Sequence, residues 1–466
     1  MSLKLVHSSQ NFKNKRVFVL GLGVSGFAIA GFLVGRGAVV TSSDQKTEEE
    51  LGDRAKTLKD LGVNVRAGDF ATTLEGDFDL LVLSPGISPL HPIVADAVKR
   101  GIAITNEPEI AFSFLKKPVI GITGTSGKST VTTLIGLMLK SSGFNTFVGG
   151  NLGTSLITAV EHESDYDFIV AELSSYQLEQ IRSLVPRVAV FTTIGQDHLD
   201  RYGTMDKYVE TKRRLLTLGN SETLVVLNHD SLYLNKFSES EEIKNKKMRV
   251  SWFTTREVLH EVGANYDEIA RTFTVVYGEE VAEFDVSDMK MLGEHNIKNL
   301  MTAAIAALEV GATPDAIQKV IETFPGLPHR IEFIREIAGV RYYNDSKATN
   351  EIAVKQSMAL FEDSSVIWLA GGKSKAIAYE TLGKVAQRKC AHVIYFGEAR
   401  DRFEKEIPLK KVKFKSVPTM EEAIRLAHSL AKPGQTVLLS PACASFDVYK
   451  SFEDRGDSFR RVVERL

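Results

Sequence analysis

Val119–Leu139 reads VIGITGTSGKSTVTTLIGLML. An apolar β-branched run gives way to Gly121, Gly124 and Gly127, then to Lys128, Ser129 and Thr130, then to an apolar helical pattern. That order predicts a strand, a tight turn and a helix. Glycines there let successive N–H groups and the helix N-terminus face phosphate oxygens. Lys128 adds a mobile charge for the β- and γ-phosphates of a nucleotide, and the Ser129 hydroxyl is placed to meet Mg²⁺. A structural turn that happens to carry a lysine is the competing reading, and the flanking strand and helix weigh against it.

Downstream, FIVAELSSYQLE is an apolar strand ending in Glu172, where a carboxylate at a strand tip can hold nucleotide-bound magnesium. The next strand, VAVFTTIGQDHLDRYG, ends near Asp197, His198 and Asp200, again at the edge where parallel sheets bind ligands. YVETKRRLL then places Lys212 on a helix. A cationic lysine is no metal ligand, so from the residues alone Lys212 reads as part of a solvated helix face.

Upstream, RVFVLGLGVSGFAIA is strand, G-x-G-x-x-G (Gly21, Gly23, Gly26) and helix, with Asp44 18 positions beyond Gly26. Alone this fingerprint says dinucleotide, but its amides and helix dipole accept any diphosphate, a nucleotide sugar included. LLVLSPGIS supplies a second strand-tip turn, Ser84-Pro85-Gly86, beside that crevice.

Short β-branched runs alternate with longer amphipathic segments along the chain: Val17–Gly21, Val39–Thr41, Leu80–Ser84, Val119–Thr123, Phe168–Leu173 and Val188–Thr192, then Val366–Ala370, Val393–Phe396 and Val437–Ser440. The alternation predicts an α/β protein with parallel sheets, with some antiparallel β around Met248–Glu283. Breaks in TNEPEIAFSFLKKP and FPGLPHR divide it into residues 1–106, a Rossmann-like domain; 107–326, a central P-loop domain; and 327–466, a second Rossmann-like α/β domain, with a new strand from Ile331.

At 466 residues, 43% hydrophobic and 25% charged, the composition is that of a globular enzyme of several domains. A net charge of -2 gives no electrostatic case for nucleic acid or an anionic membrane. Cys390 and Cys443 are too few for a disulfide framework or a structural zinc site, and read as buried thiols in a reducing compartment. The first residues lack the apolar core of a signal peptide, and no stretch reaches the roughly 18 apolar residues of a membrane span. A cytoplasmic protein is expected.

With these pieces in order the sequence resembles the Mur ligases across essentially its whole length. The resemblance rests on GITGTSGKST, GGNLG, AELSSYQLE, DHLDRYG, YVETK, GEHNIKN, GLPHRIE, YNDSKATN and SPACASFD, in the family's order. YNDSKATN is similar to the members that take D-glutamate. The resemblance implies an ATP-dependent amide ligase that adds D-glutamate to UDP-N-acetylmuramoyl-L-alanine through an acyl phosphate, for peptidoglycan synthesis. It further implies a monomer with two Mg²⁺ ions and no nucleic-acid or membrane partner.

Residue by residue, the resemblance implies that Gly124, Thr125, Gly127, Lys128, Ser129, Thr130, Asn296, Asn299, Arg330 and Asp345 bind ATP. Ser129, Glu172 and His198 would hold the metals, joined by Lys212, which matches a lysine carbamylated in the family; Lys128, Glu172, His198 and Lys212 form the catalytic set. Gly23, Val24, Ser25, Asp44, Ser84, Gly86 and Asn151 would take the UDP substrate, with Asn151 near the transferred phosphate. Lys347, Thr349, Lys375, Ser445 and Phe452 would take the amino acid. Two departures stand out: GGKSKAIAYE pairs Lys375 with Ala376 and carries a second lysine, Lys373, and Gln45-Lys46 replace a threonine and arginine found in some relatives. Another amino-acid ligase of this superfamily is the nearest alternative. An NAD-dependent oxidoreductase leaves the phosphate loop without a task, and a non-catalytic nucleotide sensor leaves the metal ligands without one.

Overall fold

A computed structural model of the chain describes residues 11–70, 72–256, 263–374 and 379–466. The chain forms two compact units: residues up to Asp288 with Glu294–Glu322, and Met289–Gly293 with Thr323–Leu466. The first unit holds two sheets and the second holds one.

The first sheet contains β1 (Arg16–Leu20), β2 (Val39–Asp44), β3 (Asn64–Ala67), β4 (Leu80–Leu83) and β5 (Ala103–Asn106), in the order β3-β2-β1-β4-β5, all parallel. Four of the five residues of RVFVL are buried, because helices cover both faces of such a sheet. The winding reverses between β1 and β4, which opens a crevice at their carboxyl ends.

The second sheet contains β6 (Val119–Thr123), β7 (Thr146–Gly150), β8 (Phe168–Glu172), β9 (Pro186–Phe191), β10 (Leu224–Asn228), β11 (Arg249–Thr254), β12 (Gly263–Asp267), β13 (Thr272–Tyr277) and β14 (Glu280–Asp285). Its order, β14-β13-β12-β11-β10-β9-β6-β8-β7, puts β6 between β8 and β9, so the glycine loop emerges at a switch point. Every residue of β6 is buried. The antiparallel segment starts later than Met248: β11 pairs parallel to β10 after a helical crossover, and antiparallel pairing begins at Gly263. The two reversals that follow, at Arg271 and Gly278, both use positive φ.

In the second unit, β15 (Glu332–Ile337), β16 (Val340–Asn344), β17 (Val366–Gly371), β18 (Cys390–Phe396), β19 (Lys413–Ser416) and β20 (Thr436–Ala442) follow the order β15-β16-β20-β17-β18-β19, parallel except for β15. The α/β class and the three sheets agree with the sequence reading. Cys390 and Cys443 are buried free thiols. No helix among the described residues is long and apolar enough to cross a membrane.

Candidate active site

The loop after β6 has the conformation its glycines allow. Gly124 has φ +150° and Gly127 φ +87°, the latter capping the helix Lys128–Ser141. A Cβ at Gly124 would lie 2.0 Å from Thr192 Oγ1, and one at Gly127 2.7 Å from Asn299 Oδ1. Both positions therefore exclude a side chain on backbone and on space.

The loop is tied to the tip of β9. The Thr125 amide donates to Thr193 O at 2.7 Å, and its hydroxyl lies 3.1 Å from Tyr208 Oη. The Ser126 amide donates to Thr193 Oγ1 at 2.9 Å. Lys128 Nζ donates to the carbonyls of Gly124 and Thr125, at 2.9 and 3.0 Å, so its charge lies along the loop. Ser129 and Thr130 are buried at the start of the helix. Asn299 donates to Asn296 Oδ1 at 3.0 Å, which brings both asparagines of the helix Glu294–Glu309 to this loop.

Glu172, at the tip of β8, is 1% exposed. Its Oε1 accepts from Asn151 Nδ2 at 2.6 Å, while Oε2 is buried with no hydrogen-bond partner. An orphaned buried carboxylate oxygen is costly, and a hard cation is the partner that suits it. Among the described residues no three His, Cys, Asp or Glu side chains converge on one point. An ion here would therefore draw its other ligands from Ser129, phosphate oxygens and water.

Lys212 does not lie on a solvated face. It is 1% exposed, and its Nζ donates to Gly124 O at 2.7 Å and sits 4.8 Å from the Tyr208 ring centroid. Burial, with Lys128 nearby, holds its amine well below the usual lysine range, against the pull of Asp197 and Glu172. The neutral amine is the nucleophilic form.

His198 is a left-handed residue at φ +52°. Its Nδ1 lies 2.8 Å from Tyr176 Oη, and its Nε2 lies 3.4 Å from Asp197 Oδ2.

In the first sheet, Gly21 and Ser84 face each other across the crevice, with the Ser84 hydroxyl donating to Gly21 O at 2.8 Å. A Cβ at Gly26 would sit 1.8 Å from that same carbonyl, so this glycine serves packing. Gly23 has nothing within 4 Å of a Cβ position, and Gly23 and Val24 are exposed. That leaves space for a diphosphate over the helix N-terminus. The Asp44 carboxylate accepts from the amides of Leu22 at 2.6 Å and Lys46 at 2.9 Å, so it fixes the loop from beneath.

The second unit gathers the third group. Asp345 is buried: its Oδ2 accepts from the hydroxyls of Ser357 and, at 3.0 Å, Ser440, and its Oδ1 accepts from the Ile331 amide. Burial pushes its carboxyl up to about 6 even so, with Ser357, Ser440, Ile331 and Arg330 pulling the other way. Lys347 Nζ stands 5.6 Å from the Phe452 ring centroid, and Ser445 is buried just past the carboxyl end of β20. Lys375 lies outside the described residues.

Arg455 was not signalled by any motif, yet it organises this edge. Fully buried, it donates to Ser346 Oγ at 2.9 Å, Ser346 O at 2.8 Å, and the carbonyls of Cys443 and Ala444, both at 3.1 Å. Burial pulls its guanidinium down to about 10. A fork of donors among backbone carbonyls ties the Ser346 and Cys443–Ala444 loops together.

The comparisons with known proteins follow the three sheets. Models of the MurD-like N-terminal domain, the Mur ligase middle domain and the Mur ligase glutamate ligase domain match residues 15–106, 122–307 and 329–443. The chain belongs to the Mur ligase family. A UDP-N-acetylmuramoylalanine–D-glutamate ligase of Bdellovibrio bacteriovorus is 38% identical over 459 residues, covering 98% of both chains. One from Geotalea daltonii is 40% identical over 459 residues, covering 97% of this chain and 98% of its own. Among solved structures, a pseudomurein peptide ligase type C from Methanothermus fervidus superposes with TM-score 0.58 at 19% identity, over 97% of this chain and all of the other.

Proposed function

We propose that this chain is an ATP-dependent ligase that joins D-glutamate to the alanyl carboxylate of UDP-N-acetylmuramoyl-L-alanine, giving ADP and phosphate, in peptidoglycan precursor synthesis. The observation that carries the reading is end-to-end similarity, 38% and 40% identical, to enzymes bearing that activity in their names. The UDP portion binds at the β1–β4 crevice, ATP at the loop after β6, and D-glutamate at the carboxyl edge of the third sheet. The enzyme works as a monomer in the cytoplasm.

A carboxylate and an amine do not condense in water without activation. A carboxylate oxygen of the substrate attacks the γ-phosphorus, the bond to ADP breaks, and an acyl phosphate forms. The neutral D-glutamate amine then adds to the acyl carbon, its nitrogen gives up one proton, and the tetrahedral intermediate expels phosphate to leave the amide N–H. Repulsion between carboxylate and γ-phosphate is the obstacle in the first step. Lys128 and the loop amides offset it.

Ser129, Glu172 and His198 are the side chains that would hold two magnesium ions, which supply further positive charge to the phosphates. The low-pKa Lys212 amine is suited to add to CO₂, forming an N–C bond and releasing one proton. The resulting carbamate is anionic and can act as an oxygen ligand. Asn151 holds Glu172 in place from the strand-tip turn after β7.

The test is chemical trapping. Incubation with ATP, UDP-N-acetylmuramoyl-L-alanine and hydroxylamine, without amino acid, is expected to yield the hydroxamate. ADP formation without any hydroxamate contradicts the acyl phosphate.

A further inference from the structure

A chain of polar contacts runs from the Ser84–Ile87 turn to His198, through residues of AELSSYQLE and DHLDRYG to which the sequence reading gives no role. Arg201 Nε and Nη2 grip Glu179 at 2.9 and 2.7 Å, and Tyr202 Oη donates to the same carboxylate at 2.9 Å. The guanidinium lies 4.2 Å from the Tyr176 ring centroid, and the Tyr176 hydroxyl reaches His198 Nδ1. The remaining nitrogen, Nη1, donates to Ile87 O at 2.9 Å. Side-chain exposures of 12% for Arg201 and 19% for Glu179 make this a shielded pair, where a bidentate fork is worth most.

A cavity of about 370 Å³ is lined by Leu83, Pro85, Ile87, Ile104, Tyr176 and Arg201 among others. The turn and Arg201 border one cavity, so a ligand seated on the turn bears on the contact between Ile87 O and Arg201 Nη1.

We propose that Tyr176 is a positioning residue for His198 and that Arg201 couples it to the Ser84–Ile87 turn, so that the UDP substrate and a divalent cation at His198 strengthen one another's binding. The proposal rests on the reading of His198 as a metal ligand and of this turn as part of the UDP-substrate site. The physical ground is that a hydrogen bond at Nδ1 sets ring rotation and tautomer. In the tautomer where Tyr176 Oη accepts from Nδ1–H, the Nε2 lone pair, 3.4 Å from Asp197 Oδ2, faces a point where ring and carboxylate together suit a cation. Coupling of this kind is reciprocal between the two ligands.

The test uses manganese as the probe, with free Mn²⁺ measured by electron paramagnetic resonance, without nucleotide, with and without UDP-N-acetylmuramoyl-L-alanine. In the wild type, affinity for Mn²⁺ is expected to rise about fivefold or more when the UDP substrate is present. Tyr176→Phe is expected to weaken Mn²⁺ binding about tenfold. Arg201→Lys, which keeps the charge but loses the fork, should retain Mn²⁺ affinity and lose the enhancement, with thermal unfolding confirming a folded protein. Loss of binding in His198→Ala with wild-type affinity and enhancement in both other variants overturns the proposal alone. Unchanged binding in His198→Ala overturns the metal reading beneath it.

Discussion

Glu107→Gln isolates a buried carboxyl at the junction of the first two sheets. Glu107 opens the helix Glu107–Phe114 and is 1% exposed. Its Oε1 accepts from the Ile157 amide at 2.6 Å, while Oε2 has no hydrogen-bond partner. Burial pushes the carboxyl up from 4.5 to about 7, and the Ile157 amide, Ser155, Leu156 and Ser25 offset only part of that. A first-turn carboxylate ordinarily gains about 0.3–1 kcal/mol from the helix dipole, too little to win here.

The raised value means that the folded protein binds this proton more tightly than the unfolded chain. The associated stability is complete below pH 4.5 and is lost as pH rises through about 7. The shift, 7 − 4.5 = 2.5, corresponds at about 1.36 kcal/mol per unit to roughly 3 kcal/mol, an upper bound since local relaxation relieves part of it. Glutamine keeps the acceptor for Ile157 and carries no charge. The variant should match wild type near pH 4.5 and exceed it increasingly towards pH 8.

Urea unfolding from pH 4.5 to 8.5, following the transition of the unit that contains Glu107, reads the difference directly. Parallel wild-type and variant curves across that range would refute the assigned ionisation. Asp345, raised to about 6 in the other unit, should leave its own slope of the same sign in that unit's transition.

Other consequences are equally concrete. Gly127→Ala forces a Cβ to 2.7 Å from Asn299 Oδ1 at φ +87°, and should lower ATP affinity at least tenfold by calorimetry while UDP-substrate binding persists. Lys128→Ala should abolish hydroxamate formation, a loss on the order of 10²-fold or more, with UDP-substrate binding still measurable; near-normal ADP release contradicts its role. Lys212→Ala should be inactive and partly restored by a small carboxylic acid, whereas full activity without rescue refutes the carbamate. Arg455→Met strips the donors from Ser346, Cys443 and Ala444, and should destabilise the second unit by about 3 kcal/mol, read as a shift in its unfolding midpoint.

The parallel sheets and the phosphate loop were legible because both are local. VIGIT and RVFVL are continuous apolar runs, and glycine spacing reports backbone geometry directly. Lys212 was legible only by resemblance, since its helix, MDKYVETKRRLLT, is polar enough to suggest solvent, and although Tyr208 lies one turn away, nothing local announces the remote Gly124 carbonyl that takes its amine. Arg455 and the Glu179–Arg201–Tyr176 chain were missed for a related reason. Their partners are far away in sequence: Arg455 meets Ser346, and Arg201 meets Ile87. Asp44 shows the converse, a residue picked out by a motif whose carboxylate is engaged by backbone amides, Leu22 in the glycine loop and Lys46 beyond its own strand. The start of the antiparallel segment was misplaced because β-branched strands read alike in either direction.

The most direct test is phosphate release from ATP with UDP-N-acetylmuramoyl-L-alanine, comparing D-glutamate with L-glutamate, D-aspartate, L-lysine and meso-diaminopimelate. Release that requires both the UDP substrate and D-glutamate is the predicted result. Release supported only by another amino acid would keep the ligase chemistry and contradict the assignment of the third sheet's pocket to D-glutamate.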